Sequence, residues 1–299
     1  MNDLRGGPEP PPVSRSDMKN KKAIILLSVL FLIAGLIAAY PVVSNKLFEA
    51  NSAKVQTEYF QVVEQLEDAT IQEARAAAES YNALLTKGLS FSDEQLNSAA
   101  VKYDELLNPG GKGIMAYIEI PTLGLSLPVA HGTEAETLEN YVGHVIGSSL
   151  PIGGESSHAI LSGHSGLAGK AMFTDLHELK EGDIIFIHVL NDTLAYSVDE
   201  LNTVLPDNIS GLSIRPGEDS LTLITCTPVG VNTHRLLVQC SRTEYSPEQA
   251  EGAVAEQSSG STWESEYKKG LAYGLLALLL GFIVYGLIQA GRNYYAQRH

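Results

Sequence analysis

The chain has 299 residues, enough for one large domain or two small ones with a buried core. Its formal net charge of −15 gives an acidic surface, which argues against a nucleic-acid partner and leaves proteins, wall polymers and a membrane open. The mean composition is ordinary for a folded protein but hides two uncharged apolar segments.

Residues 1–22 form a tail whose first part is rich in Pro and Gly and has no apolar period. Residues 23–43 read AIILLSVLFLIAGLIAAYPVV, and residues 270–290 include LAYGLLALLLGFIVYGLIQA. Each has about the twenty residues a helix needs to cross roughly 30 Å of hydrocarbon. Both are apolar all round, so each is expected to be a transmembrane helix. Ala38-Ala39-Tyr40-Pro41 makes a poor signal-peptidase site, which favours an uncleaved anchor. Lys19, Lys21 and Lys22 precede the first span, and Arg292 and Arg298 follow the second, in the tail 291–299. Positive charge stays on the cytoplasmic side, so both termini are expected inside and the intervening chain outside. Lys268 and Lys269 on the outer flank oppose this weakly.

Residues 44–112 form an external arm. From Asn45 to about Lys87 apolar residues recur at helical spacing without Gly or Pro, and Gly88 closes the run. A second helix is expected from Ser92, an N-cap, to about Leu107, ahead of the break Asn108-Pro109-Gly110-Gly111. Residues 113–245 change texture: IMAYIEIP, LSLPVAHG, SHAILSGH, DIIFIHVL, LAYSVDEL, LTLITC and RLLVQC are short β-rich runs separated by turn residues. They predict a mainly β domain, an antiparallel barrel or sandwich of about seven or eight strands, with a hairpin turn at Asn191-Asp192. Residues 246–269 read as a linker.

The chemistry concentrates in Thr-Leu-Ile-Thr-Cys-Thr-Pro at 222–228 and Asn-Thr-His-Arg-Leu-Leu-Val at 232–238. A hairpin centred near residues 230 and 231 puts Cys226 opposite Arg235 and Cys240 opposite Leu221. The two thiols are then about 16 Å apart, too far for a disulfide. A free thiol in an oxidising compartment points to nucleophilic chemistry. Arg235 would favour its thiolate and steady an oxyanion. Among the eight histidines, His164 in Leu-Ser-Gly-His-Ser-Gly sits where a strand gives way to a Gly-flanked loop, a suitable mount for a general acid, although its spacing alone favours an ordinary surface-loop histidine. His234 neighbours Arg235 on a strand and so faces away from it. No phosphate loop or metal-ligand cluster stands out, and no cofactor or metal is expected.

The block Thr222 to Cys226, the downstream Arg235 and the upstream Gly163-His164 resemble the sortases, most closely class C, the pilus-assembling sortases of Gram-positive bacteria. Gly113 to Pro121, His131-Gly132-Thr133, Ser149 to Gly154, Met172 to Leu176 and Asp183 to Leu190 also fit that class. The resemblance implies a closed β-barrel of about eight strands with an N-terminal helical arm. It implies that Cys226 attacks the Thr–Gly bond of an LPXTG-like sorting signal, with His164 as acid and Arg235 as oxyanion partner. A lysine amine of another pilin then resolves the thioacyl-enzyme. Phe91, His131 and Thr225 are expected at the lid or substrate cleft. The chain departs from the family twice: Ser165 replaces the usual Arg of Gly-His-Arg-Gly, and Leu89-Ser90 replaces the lid's Asp-Pro, leaving Phe91 as the lid aromatic. The alternatives are a sortase that anchors surface proteins to a cell-wall amine, and a noncatalytic membrane-tethered β module that binds wall polymers or subunits.

Overall fold

The computed structural model describes residues 15–86, 102–167, 169–208, 210–245 and 262–296. The expected second arm helix falls largely outside these residues, as does Phe91; within them, Tyr103–Glu105 form a single 3-10 turn.

Helix α1, Arg15–Glu64, runs without interruption through Pro41, so the first apolar segment and the start of the arm are one rod. At about 1.5 Å per residue it is roughly 75 Å long. The helical stretch predicted from Asn45 to Lys87 is broken once. Gln65 and Leu66 close tight turns onto Val62 and Val63, and a new helix, α2, spans Asp68–Leu85. No Gly or Pro marks this break. It is imposed by packing, because the chain must turn there for α2 to bury Ile71, Ala78, Tyr81, Asn82 and Leu85. The Asn82 amide exchanges two hydrogen bonds with the backbone of Leu150, at 3.1 and 2.7 Å. Tyr59 of α1 donates to Met115 O at 3.1 Å and accepts from Leu190 N at 2.9 Å, pinning the rod to the β domain. A short helix, α3 (Ala135–Asn140), and a C-terminal helix, α4 (Thr262–Ala296), complete the α-helices of the described residues. Both α1 and α4 contain a stretch long and apolar enough to cross a membrane.

Eight strands form a closed barrel: β1 Ile114–Ile120, β2 Leu125–His131, β3 Val142–His144, β4 Ser157–Ser162, β5 Ile184–Val189, β6 Asp192–Val204, β7 Asp219–Thr227 and β8 His234–Thr243, in the spatial order β1-β2-β3-β4-β7-β8-β6-β5. The seven predicted runs are strands, and three-residue β3 is the one that sequence alternation does not reveal. The barrel is mixed, in contrast to the antiparallel expectation: β2 pairs with β3 and β4 with β7 in parallel. Parallel neighbours need crossover connections; α3 supplies the first, and the long excursion through β5 and β6 the second. The β5–β6 hairpin turns at Leu190-Asn191, one residue earlier than predicted, with Val189 opposite Asp192.

Alternation sorts the residues of each strand. Leu221 and Leu223 of β7 and Leu236, Val238 and Cys240 of β8 point into the core with Leu127, Val129, Ile118, Leu161 and Ile187. The intervening residues Thr222, Ile224 and Cys226 lie on the outer face. Both cysteines are free, as the predicted register requires: Cys226 pairs with Arg235 and Cys240 with Leu221.

A fully buried histidine ties β3 to the arm. Tyr103 donates its hydroxyl proton to His144 Nδ1 at 2.7 Å, and His144 Nε2 donates to Ser149 O at 2.9 Å. Both contacts suit a neutral ring, and burial lowers the His144 pKa from 6.5 to about 4. His158 is lowered for the same reason. The unfolded chain takes up these protons below about pH 6.5, whereas the folded chain resists doing so. The His144 contribution to stability is therefore full above that pH and declines as pH falls toward about 4, by about 1.4 kcal/mol per pH unit, and His158 acts in the same direction. Thermal unfolding of the full chain in detergent from pH 7.5 to 5 should show this decline, and His144→Gln should reduce its slope by about one proton. An unchanged slope in that variant would contradict the account.

Candidate active site

The outer end of β7 is where the predicted groups meet. β4 runs parallel to β7, with Ser157 opposite Asp219 and Ser162 opposite Ile224. Two more residues in the same register bring His164 alongside Cys226. The ladder does continue past β4: Gly163 N donates to Ile224 O at 3.0 Å. On the other side β8 runs antiparallel and places Arg235 directly opposite Cys226. Residues that pair across adjacent strands share a face. Cys226 is thus flanked by His164 and Arg235 on the outside of the barrel, and all three are half-buried.

The His164 loop is stitched to β7 from both sides of the histidine. Thr225 donates its hydroxyl to Gly163 O at 2.8 Å, and Ser165 donates to Cys226 O at 2.5 Å. Gly163 itself lies against the Phe173 ring, and a Cβ there would collide with it. Phe173 N in turn donates to His164 O at 2.9 Å. Ser165, where the resemblance leads one to expect an arginine, thus acts as a hydrogen-bonded strut between the loop and β7. Sequence reading saw only the lost charge.

Arg235 donates from Nη1 to Asn232 O at 3.4 Å and His234 O at 3.1 Å. It forms no carboxylate pair among the described residues, so its charge beside Cys226 is not neutralised locally there. The Cys240 thiol, in contrast, lies in the core, where burial pushes its pKa up, away from the reactive thiolate.

Two residues expected at the cleft sit elsewhere. Thr225 is buried and alternates with Cys226 onto the opposite face, so it braces the His164 loop instead of lining the cleft. His131 closes on the backbone of the arm, with ring nitrogens 3.0 Å from Gly113 O and 2.7 Å from Leu106 O, and packs edge-on against Tyr103. Its contacts among the described residues do not include Cys226, His164 or Arg235. Phe91 lies outside the described residues. His234 pairs with Thr227 and hydrogen-bonds Thr233 at 3.0 Å, one residue off the Cys226 register.

Along the outer face of β4, leading away from His164, a cavity of about 710 Å³ opens over Ile160 and His158. Val145 and Ile146 form one wall, and Leu212 and Ile214 of the β6–β7 connection form the other. His158, which has no distinctive sequence context, fastens this connection to the barrel: Nδ1 is 3.2 Å from Ser213 O, and Nε2 is 2.7 Å from Thr222 Oγ1.

Comparison with known proteins agrees with this geometry. Residues 118–243 match the sortase domain family. Sortase A of Streptococcus agalactiae serotype III is 28% identical over 232 residues, covering 74% of this chain and 88% of that protein. The crystal structure of sortase C1 from Streptococcus agalactiae superposes with a TM-score of 0.61 at 38% identity, covering 64% of this chain and all (100%) of that one. A Clostridium perfringens sortase C, solved with the C-terminal cell wall sorting motif, gives a TM-score of 0.56 at 35% identity, covering 64% of this chain and 100% of its own. With its barrel, its family match and its class C structural neighbours, the chain belongs to the sortase family of cysteine transpeptidases.

Proposed function

We propose that Cys226, His164 and Arg235 catalyse transpeptidation of an LPXTG-like sorting signal, and that the product is an isopeptide bond to a lysine of another pilin subunit. The observation that carries this reading is that β8 sets Arg235 opposite Cys226 while the loop carrying His164 is hydrogen-bonded alongside the same end of β7. The Cys226 thiolate attacks the threonine carbonyl, and the oxyanion that forms is steadied by Arg235. His164 gives a proton to the departing glycine amine, leaving a thioacyl-enzyme. The acceptor lysine amine attacks that thioester, His164 takes up its proton, and the Cys226 sulfur leaves. Water is the competing nucleophile, so the acceptor amine must be positioned well.

The cavity on β4 supports the substrate assignment. Ile160 is level with Thr222, four residues from Cys226 along β7, or roughly 13 Å. An extended Leu-Pro-Xaa-Thr segment spans about the same distance. Its apolar leading residues would sit against Ile160 and Ile214 while the threonine carbonyl reaches the thiol.

In this reading both apolar helices span the membrane. Residues 1–22 and 291–299 are cytoplasmic, residues 23–43 and 270–290 are the spans, and the arm 44–112, barrel 113–245 and linker 246–269 are outside. Two spans and the long helical arm favour pilin polymerisation over attachment to a cell-wall amine.

Cys226→Ala should abolish cleavage of a fluorogenic Leu-Pro-Ala-Thr-Gly peptide, while Cys240→Ala should leave it nearly intact. Equal loss in a well-folded Cys240→Ala protein would contradict the assignment. His164→Ala and Arg235→Ala should each lower turnover by at least about a hundredfold, the scale of losing a general acid or an oxyanion donor. Arg235→Lys should remain impaired because an ammonium lacks the planar fork. Near-normal turnover in His164→Ala beside an inactive His234→Ala would contradict the assignment of the acid to His164.

A further inference from the structure

The loop that carries His164 does not rest on the barrel alone. Two residues beyond the first apolar segment, α1 presents Asn45, a polar side chain with no solvent exposure. Its Oδ1 accepts a hydrogen bond from Ala171 N at 2.8 Å, and its Nδ2 donates to Glu49 Oε1 at 2.7 Å. The contact is reinforced on both sides. Gly169 adopts φ +85° and lies so close to Ser44 that a Cβ would collide with that side chain. Lys170 sits over the Phe48 ring, 5.6 Å from its centre.

From Ala171 a short path of hydrogen bonds returns to His164. Ala171 O accepts from Thr174 N at 2.9 Å, and Thr174 Oγ1 accepts from Gly166 N at 3.0 Å. Phe173, between them in sequence, donates its N–H to His164 O at 2.9 Å and places its ring under Gly163. The β7 side of the loop is held by Ser165 and Thr225, and this far side is held by the anchor helix. A buried backbone N–H at Ala171 without its acceptor would be driven to rearrange, and the rearrangement would pass directly to residues 163–166.

We infer that Asn45 is a positioning residue for His164: the helix that anchors the enzyme supplies one wall of the catalytic loop. The inference rests on the reading of His164 as general acid. It assigns a role to a residue far from Cys226 in sequence and outside the barrel. Turnover then depends on the seat of the anchor helix, whereas the peptide groove on β4 does not.

The test uses the full chain in lipid nanodiscs with a fluorogenic Leu-Pro-Ala-Thr-Gly peptide. Rates are expressed per reactive Cys226 thiol, titrated with a small disulfide reagent so that misfolded protein is not counted. Asn45→Ala should lower kcat about tenfold or more while KM stays within twofold. Asn45→Asp combined with Glu49→Gln keeps an acceptor for Ala171 N and reverses the side-chain hydrogen bond, so kcat should return to within about threefold. A kcat for Asn45→Ala within twofold of the unsubstituted chain would overturn the inference, as would a loss expressed in KM alone or a paired exchange no better than Asn45→Ala. His164→Ala separates the two levels of the argument. If it is inactive while Asn45→Ala is normal, only the coupling is wrong; if it turns over normally, the role of His164 itself falls.

Discussion

The parallel pairing of β4 with β7 is the constraint on which the site depends. In an all-antiparallel barrel the strand after β4 could return beside it through a tight turn, and no loop would leave its end toward Cys226. Parallel pairing makes β4 and β7 finish at the same end of the barrel, so the residues just past β4 must run beside the end of β7. The hydrogen bonds from Gly163, Thr225 and Ser165 hold them in that position. Antiparallel β8 then enters from the opposite side with Arg235 in register. Three residues distant in sequence reach one face because two kinds of strand pairing meet on β7.

The same arrangement separates the two thiols by chemistry as well as by distance. Cys226 stands at a half-buried strand end between a histidine and a cation, whereas Cys240 is packed among Leu221, Val238 and Val198 in the core. A shift of one residue in the β7–β8 register would turn Cys226 inward and expose its neighbours. The hydrophobic set Leu221, Leu223, Leu236 and Val238 resists such a shift, since every side chain would change faces. Core packing thus fixes which cysteine meets solvent.

Much of this was legible in the sequence, because a short hairpin between two alternating apolar runs leaves little freedom. The pairs Cys226–Arg235 and Cys240–Leu221 followed from counting residues about the turn. The features that escaped are set by tertiary contacts. Three-residue β3 is too short to show alternation, and the break after Glu64 carries no Gly or Pro because it is imposed by the docking of α2. Thr225 lies beside Cys226 in sequence, yet alternation turns it inward, the same rule that set His234 aside. His131 reads as a rim residue until its ring is seen closing on Gly113 and Leu106. Ser165 looked like the loss of a positive charge, and no local pattern reveals that its hydroxyl reaches the Cys226 carbonyl. Asn45 was likewise hidden, since a lone Asn just past an apolar span carries no signal without its partner Ala171.

The most direct test is to identify the covalent intermediate. The full chain is incubated with a Leu-Pro-Ala-Thr-Gly peptide, quenched in acid and digested, and the thioester is located by mass spectrometry. The account predicts an acyl group ending in threonine on the peptide that contains Cys226, and none on the peptide that contains Cys240. Cleavage between threonine and glycine with an unmodified Cys226, or an adduct on another side chain, would contradict it.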